Sequence, residues 1–294
     1  RVALLGTAYS RGLEAGGIMA VGKHFPGHGD TNKDSHKELP VVSHSRQQLH
    51  DIDLLPFRRF IDAGMSGIMV GHLNVPAIDR SGTPTSLSHK ATTGLLKEEM
   101  GFDGLIWTDG LAMKGASTGT ENNCVSALNA GVDILLESAA PHTDIAAVVA
   151  AVENGVIPAS VIESRCKKVL AYKYALGLAD GYKPVSDASL KKQLDSPEAD
   201  AVNRRLTAAM ITCLENKEAL LPIGDTCDKH IAVVNIGEGA DNTFSHYCSK
   251  YADIKRYSAS TALTATQLKA IKSCDMVIAG IYNDKAASIE ALRQ

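Results

Sequence analysis

The feature that most constrains this chain is a repeated pairing of an apolar run with a polar loop. Ile18-Met19-Ala20-Val21, Gly67-Ile68-Met69-Val70-Gly71-His72, Leu105-Ile106-Trp107-Thr108 and Val132 to Leu136 are runs of strand length, mostly or wholly apolar. None alternates strictly between apolar and polar positions, so both faces of each strand are expected to be covered. Between the runs lie stretches with apolar residues at helical spacing. The rhythm of strand, loop, helix and strand predicts parallel strands joined by crossover helices.

The helices can be placed by their start and stop signals. Val2 to Ala15 carries Val2, Leu4, Leu5 and Leu13 and runs into Gly16-Gly17. Ser43 or Ser45 caps the next helix, whose stripe is Leu49, Ile52, Leu55, Phe57, Phe60 and Ile61; Ala63-Gly64 ends it. Pro56 lies inside that pattern and should kink it, because its nitrogen carries no hydrogen to donate. Ser86 or Ser88 opens a helix to about Met100, and further helices are expected over Glu121 to Ala130, Ile145 to Asn154 and Pro158 to Leu176.

The chemistry-bearing residues follow the strands. Lys23-His24-Phe25-Pro26-Gly27-His28-Gly29-Asp30-Thr31-Asn32-Lys33-Asp34-Ser35-His36 comes directly after the first, and Asp109-Gly110 directly after the third. Loops at the carboxyl ends of parallel strands are where α/β proteins place their active groups. Asp109, bare at a strand end, is suited to attack an electrophilic carbon; an N-cap or turn aspartate is the plainer alternative. His36 has Asp34 two residues away, a partner able to fix its tautomer and suit it to proton transfer, against the reading of a surface histidine. Lys23 and His24 can donate hydrogen bonds to hydroxyls of a polar ligand, unless Lys23 is spent in an internal ion pair. His72 and Asn74 stand at another strand end and fit either the cleft or the core.

Other classes find little support. The net charge of −3 and aromatic content of 5% in 294 residues do not mark a nucleic-acid binder. No run approaches the roughly 18 apolar residues of a membrane span. Cys124, Cys166, Cys213, Cys227, Cys248 and Cys274 are scattered without CxxC pairs, and read as reduced, mostly buried thiols. His24, His28, His36 and His44 lack a recognised metal-ligand spacing, so no metal and no cofactor are expected. Gly237-Glu238-Gly239 follows a strand but lacks the third glycine of a dinucleotide loop.

Residues 181–198 are polar and contain Pro184, and are expected to link residues 1–180 to a second α/β region over 199–294. That region holds a helix from Ala199 to Leu214 and strands at Ile231 to Ile236, near Asp253 to Tyr257 and at Met276 to Ile281. In the first region about four strands are expected, against eight in a barrel of roughly 250 residues. Half a barrel would leave open edges, so a further segment of the protein, or another chain, is expected to complete it.

Together, Lys23-His24-Phe25-Pro26-Gly27-His28-Gly29, then Asp34-Ser35-His36, then Thr108-Asp109-Gly110-Leu111 with Met113, resemble glycoside hydrolase family 3 in its β-N-acetylglucosaminidase branch. The resemblance implies that residues 1–180 are the C-terminal half of a TIM (β/α)8 barrel and, more weakly, that residues 199–294 begin an α/β sandwich domain. It implies a retaining hydrolase removing terminal β-linked N-acetylglucosamine from peptidoglycan- or chitin-type fragments. Asp109 would be the nucleophile, His36 the acid/base oriented by Asp34, and Lys23 and His24 the holders of sugar hydroxyls. The aspartate and arginine that grip the non-reducing sugar in family members precede the Lys-His motif and have no counterpart in this chain. A glycoside phosphorylase, or a catalytically incomplete or merely sugar-binding homologue, remains the alternative. The chain opens at Arg1 without methionine or signal peptide, as an internal piece would, and leaves periplasm or cytoplasm open.

Overall fold

A computed structural model of the chain describes residues 1–31, 33–35, 37–116, 121–181, 187–259, 262–283 and 285. His36 and Asn32 therefore lie outside the described residues. The chain divides into two compact units, Arg1–Pro184 and Val185–Gln294.

In the first unit a helix over Val2–Ala15 leads into β1 (Val21–Phe25), followed by β2 (Gly67–Val70) and β3 (Leu105–Thr108). The three form one sheet in the order β1-β2-β3, with parallel pairing throughout. β1 starts three residues later than the apolar run predicts, because residues 18–20 are used to leave the helix. The Ile18 amide donates to the Leu13 carbonyl, and the Ala20 amide donates to Glu14 Oε1. The same Glu14 oxygen accepts from the Ser66 amide at 2.9 Å, which fixes the start of β2 beside that of β1. Lys23 and His24 consequently sit within the strand, where the register to β2 shifts between Gly22 and Phe25.

The expected fourth strand is reduced to a single parallel bridge, Trp107 to Ile134. Beyond Ile134 the chain leaves the ladder: the Leu136 amide donates to the Thr108 hydroxyl rather than to a backbone carbonyl. The carbonyls of Leu136 and Glu137 turn to the amides of Leu111 and Ala112. This departure binds the 109–113 loop to the 136–137 segment.

The helix expected between residues 43 and 63 begins with a Ser45 N-cap and a reciprocal bond from Gln48, a capping box. It then widens to a π-type turn over Leu49–Asp53 and restarts as Leu55–Asp62. Pro56, in the first turn of that restart, is the cause, since it has no hydrogen to continue the bonding ladder. A π-type helix over Lys90–Glu99 and a helix over Asn123–Ala130, capped by Asn122, complete the crossovers around β2 and β3. The core between sheet and helices contains Phe25, Leu54, Ile68, Val70, Leu96 and Ile106, all fully buried. Each such side chain contributes about 1.5–3 kcal/mol on burial. The helix Ala159–Ala175 is held to the sheet by Lys168, whose ammonium bonds the Gly104 carbonyl at 2.6 Å and Asp133 at 3.0 Å.

The second unit carries β4 (Ile231–Ile236), β5 (Ile254–Ala259) and β6 (Met276–Ile281), parallel and ordered β5-β4-β6. β4 lies in the middle, and all six of its residues are buried. Helices Asp187–Leu194 and Pro197–Met210 precede this sheet.

Candidate active site

The carboxyl ends of β1, β2 and β3 present His24, His72 and Asp109 to a shared region. Asp109 follows β3 without a break, and its amide donates to the Val70 carbonyl of β2 at 3.0 Å. Its two carboxylate oxygens are treated differently. Oδ1 accepts from the Gly110 amide at 2.9 Å, whereas Oδ2 faces His24 Nε2 at 3.6 Å. That second separation is longer than a hydrogen bond, so Oδ2 keeps its capacity to bind or attack. Burial lowers the His24 pKa, against the opposing pull of the Asp109 charge, and so favours a neutral ring.

Lys23, His24, His28, Gly29, Thr31, Lys33 and Asp34 line a cleft of about 520 Å³. Three of the residues singled out in the sequence, Lys23, His24 and Asp34, therefore share one concavity, and His24 joins it to Asp109. Lys23 makes no ion pair among the described residues, which leaves its ammonium exposed to the cleft. A second cavity of about 650 Å³ shares Lys23, His24, His28 and Gly29 with this cleft and is lined further by Phe57, Phe60 and residues of the Val2–Ala15 helix.

The loop carrying Asp34 is fastened on both sides of position 36. The amides of Lys37 and Glu38 both donate to the Asp34 carbonyl, at 2.9 and 3.1 Å. Ser35 is buried, its carbonyl accepts from the Gly115 amide, and its hydroxyl lies 3.4 Å from His28 Nε2. Gly115 permits this approach: a Cβ there would stand 2.8 Å from the Ser35 carbonyl oxygen. Downstream, His44 Nδ1 bonds Asp53 at 2.6 Å and His44 Nε2 reaches back to Asp30 at 2.9 Å. Those two bonds, to Asp53 first and Asp30 second, raise the His44 pKa.

His72 is fully buried and does not line the cleft. Its Nε2 donates to the Gly110 carbonyl at 2.9 Å, and its Nδ1 meets the Ser86 hydroxyl at 2.6 Å. Asn74 serves the backbone, exchanging main-chain bonds with Pro40 and Val42. The Asp30–His44–Asp53 series and the Gly110 bond of His72 left no local trace in the sequence, because their partners are 14, 9 and 38 residues apart. No cluster of three or more metal-ligating side chains occurs among the described residues. No helix among them is long and apolar enough to cross a membrane.

Beta-hexosaminidase A of Pseudoalteromonas piscicida is 34% identical over 249 residues, covering 76% of this chain and 40% of that protein. A beta-hexosaminidase of Nitrosomonas eutropha is 42% identical over 137 residues, covering 46% of this chain and 39% of that protein. The chain thus spans about 40% of the length of these curated relatives. A solved glycoside hydrolase family 3 beta-N-acetylglucosaminidase from a Paenibacillus species superposes with a TM-score of 0.75 at 30% identity, covering 99% of this chain and 59% of that one. Residues 1–172 match the glycosyl hydrolase family 3 N terminal domain, and on that match, which takes in more than half its length, the chain belongs to glycosyl hydrolase family 3.

Proposed function

We propose that the protein is a retaining glycoside hydrolase that removes terminal β-linked N-acetylglucosamine, with peptidoglycan- or chitin-type fragments as its substrate class. The observation that carries this reading is the unspent Asp109 Oδ2 at the end of β3, 3.6 Å from His24 and adjoining the cleft of Lys23 and Asp34. The names of the curated relatives and of the Paenibacillus structure support the same activity. Asp109 attacks the anomeric carbon and forms a glycosyl-enzyme ester, expelling the aglycone. His36, oriented by Asp34, protonates the departing oxygen and then takes a proton from the incoming water. Lys23 and His24 donate hydrogen bonds to the sugar hydroxyls.

A histidine acid/base differs electrostatically from the usual pair of carboxyl groups about 5 Å apart. A neutral imidazole adds no second negative charge beside the anionic nucleophile, which reduces charge repulsion within the site in the second, water-attacking step. The first unit, on this reading, is the C-terminal half of a (β/α)8 barrel. The second unit begins an α/β sandwich. Release of p-nitrophenol from p-nitrophenyl N-acetyl-β-glucosaminide by the full-length protein tests the activity. In a His36→Ala variant the covalent intermediate is expected to build up with an activated aryl substrate. Loss of turnover without build-up would contradict the assigned role.

A further inference from the structure

Gly110 is held at both ends of its own residue, and the two bonds point to different tasks. Its amide hydrogen goes to Asp109 Oδ1 at 2.9 Å. Its carbonyl accepts from His72 Nε2 at 2.9 Å. A carbonyl oxygen can only accept, so Nε2 carries the hydrogen. In a neutral imidazole the other nitrogen, Nδ1, then has only a lone pair, and the Ser86 hydroxyl 2.6 Å away supplies its proton. Both His72 and Ser86 are fully buried, so neither bond competes with water. Burial lowers the His72 pKa, against the bond to Gly110 and the Asp109 charge, which keeps the ring in the neutral form this pattern requires.

The elements around His72 make the arrangement rigid. The Thr85 hydroxyl donates to the Gly71 carbonyl at 2.7 Å, which ties the turn carrying Ser86 to the residue before His72. On the other side a Cβ on Gly115 would stand 3.4 Å from His72 Cβ, so the 114–116 turn packs directly against it. The Gly110 peptide therefore has little freedom to rotate, and neither has the carboxylate oxygen it holds.

We infer that His72, fixed as the Nε2–H tautomer by the Gly110 carbonyl and supported at Nδ1 by Ser86, is a positioning residue that clamps Gly110 so that Asp109 Oδ1 stays bound and Oδ2 is the attacking oxygen. This inference rests on the proposed role of Asp109 as nucleophile and specifies which of its atoms forms the bond. His72 touches neither substrate nor reacting carbon. Its effect is on kcat, through the angle and exposure of Oδ2, and not on sugar binding.

The test is made on the full-length protein with an activated aryl N-acetylglucosaminide. His72→Ala is expected to lower kcat about 100-fold, the cost of a misplaced reacting group, with KM within about twofold of wild type. His72→Gln can still offer an amide hydrogen to the Gly110 carbonyl and is expected to recover most of that loss. Ser86→Ala, a smaller change should His72→Ala fail to fold, is expected to lower kcat about tenfold at unchanged KM, since it leaves the buried Nδ1 without its donor and loosens the ring. Imidazole nitrogen NMR gives a readout independent of turnover: His72 should be an Nε2–H neutral ring at neutral pH. An Nδ1–H ring or a doubly protonated ring at neutral pH, or folded His72→Ala and Ser86→Ala variants with wild-type kcat, would overturn the inference. Failure of the underlying reading looks different: Asp109→Asn would then turn over as fast as wild type, and the clamp would fall with it.

Discussion

The two sheets are alike in build and opposite in what they do with polar groups at their strand ends. Each has three parallel strands with its earliest strand closed by a turn rich in glycine, yet Asp109 in the first keeps bonding capacity that Asn235 in the second spends. At the end of β4, Asn235 is fully buried and its amide bonds the Gly239 and Ala240 carbonyls and the Ser245 hydroxyl. Its oxygen faces the Tyr282 hydroxyl at 3.4 Å. Among the described residues the Asn235 side chain is thus consumed in closing the loop. At the end of β3, Asp109 spends one oxygen on Gly110 and keeps the other 3.6 Å from His24, while Lys23 stays exposed beside it. The difference teaches that a strand-end polar residue marks a site only when its hydrogen-bonding capacity exceeds what its neighbours use.

The comparison can be broken most severely at Asp109. Asp109→Asn is expected to reduce turnover by about 10⁴-fold or more while leaving the melting temperature near that of wild type, as measured by aryl glycoside release and thermal unfolding. Gly115→Ala comes next. Its Cβ would stand 2.8 Å from the Ser35 carbonyl and must push the loop that carries Asp34 and His36. A kcat loss of roughly 10- to 100-fold is expected, and unchanged kinetics would show that this loop's position is immaterial.

Asn235→Ala should do the reverse of Asp109→Asn. Removing the amide strands two carbonyls and a hydroxyl, which costs about 1–3 kcal/mol of stability in the second unit by denaturant unfolding. Activity per folded molecule is expected to hold. A stable Asn235→Ala protein would mean that the second sheet's strand end is as unspent as the first.

The smallest effect is the pH response of the Asp30–His44–Asp53 series. The folded pKa of His44 is raised, so its contribution is fully present below the ordinary histidine value near 6.5 and fades as pH rises through the folded value. Hydrogen exchange at the amides around Asp30 is therefore expected to quicken across that rise more than base catalysis alone explains. His44→Gln should remove the excess.

Much of the scaffold was legible because it depends on local pattern. Apolar runs without alternation marked β2, β3, β4 and β6, and Pro56 marked the break in the helix after Ser45. Legibility stopped where a distant partner intervened. Glu14, bonding the amides of Ala20 and Ser66, delays β1 to Val21 and so moves Lys23 and His24 from loop to strand. The Thr108 hydroxyl, taking the Leu136 amide, ends the fourth pairing after a single bridge. For the candidate site, Asp109 was visible as a carboxylate directly after an apolar run, and Lys23, His24 and Asp34 as polar residues following the first such run. The clamp of His72 on Gly110 was not, since it spans 38 residues and involves a backbone carbonyl.

Covalent trapping tests the central claim most directly. The full-length protein is incubated with a slow fluorinated N-acetylglucosaminide, quenched in acid, digested and mapped by mass spectrometry. The account predicts one sugar per chain, carried as an ester on Asp109. Product release with no adduct, or an adduct on any other residue, would contradict it.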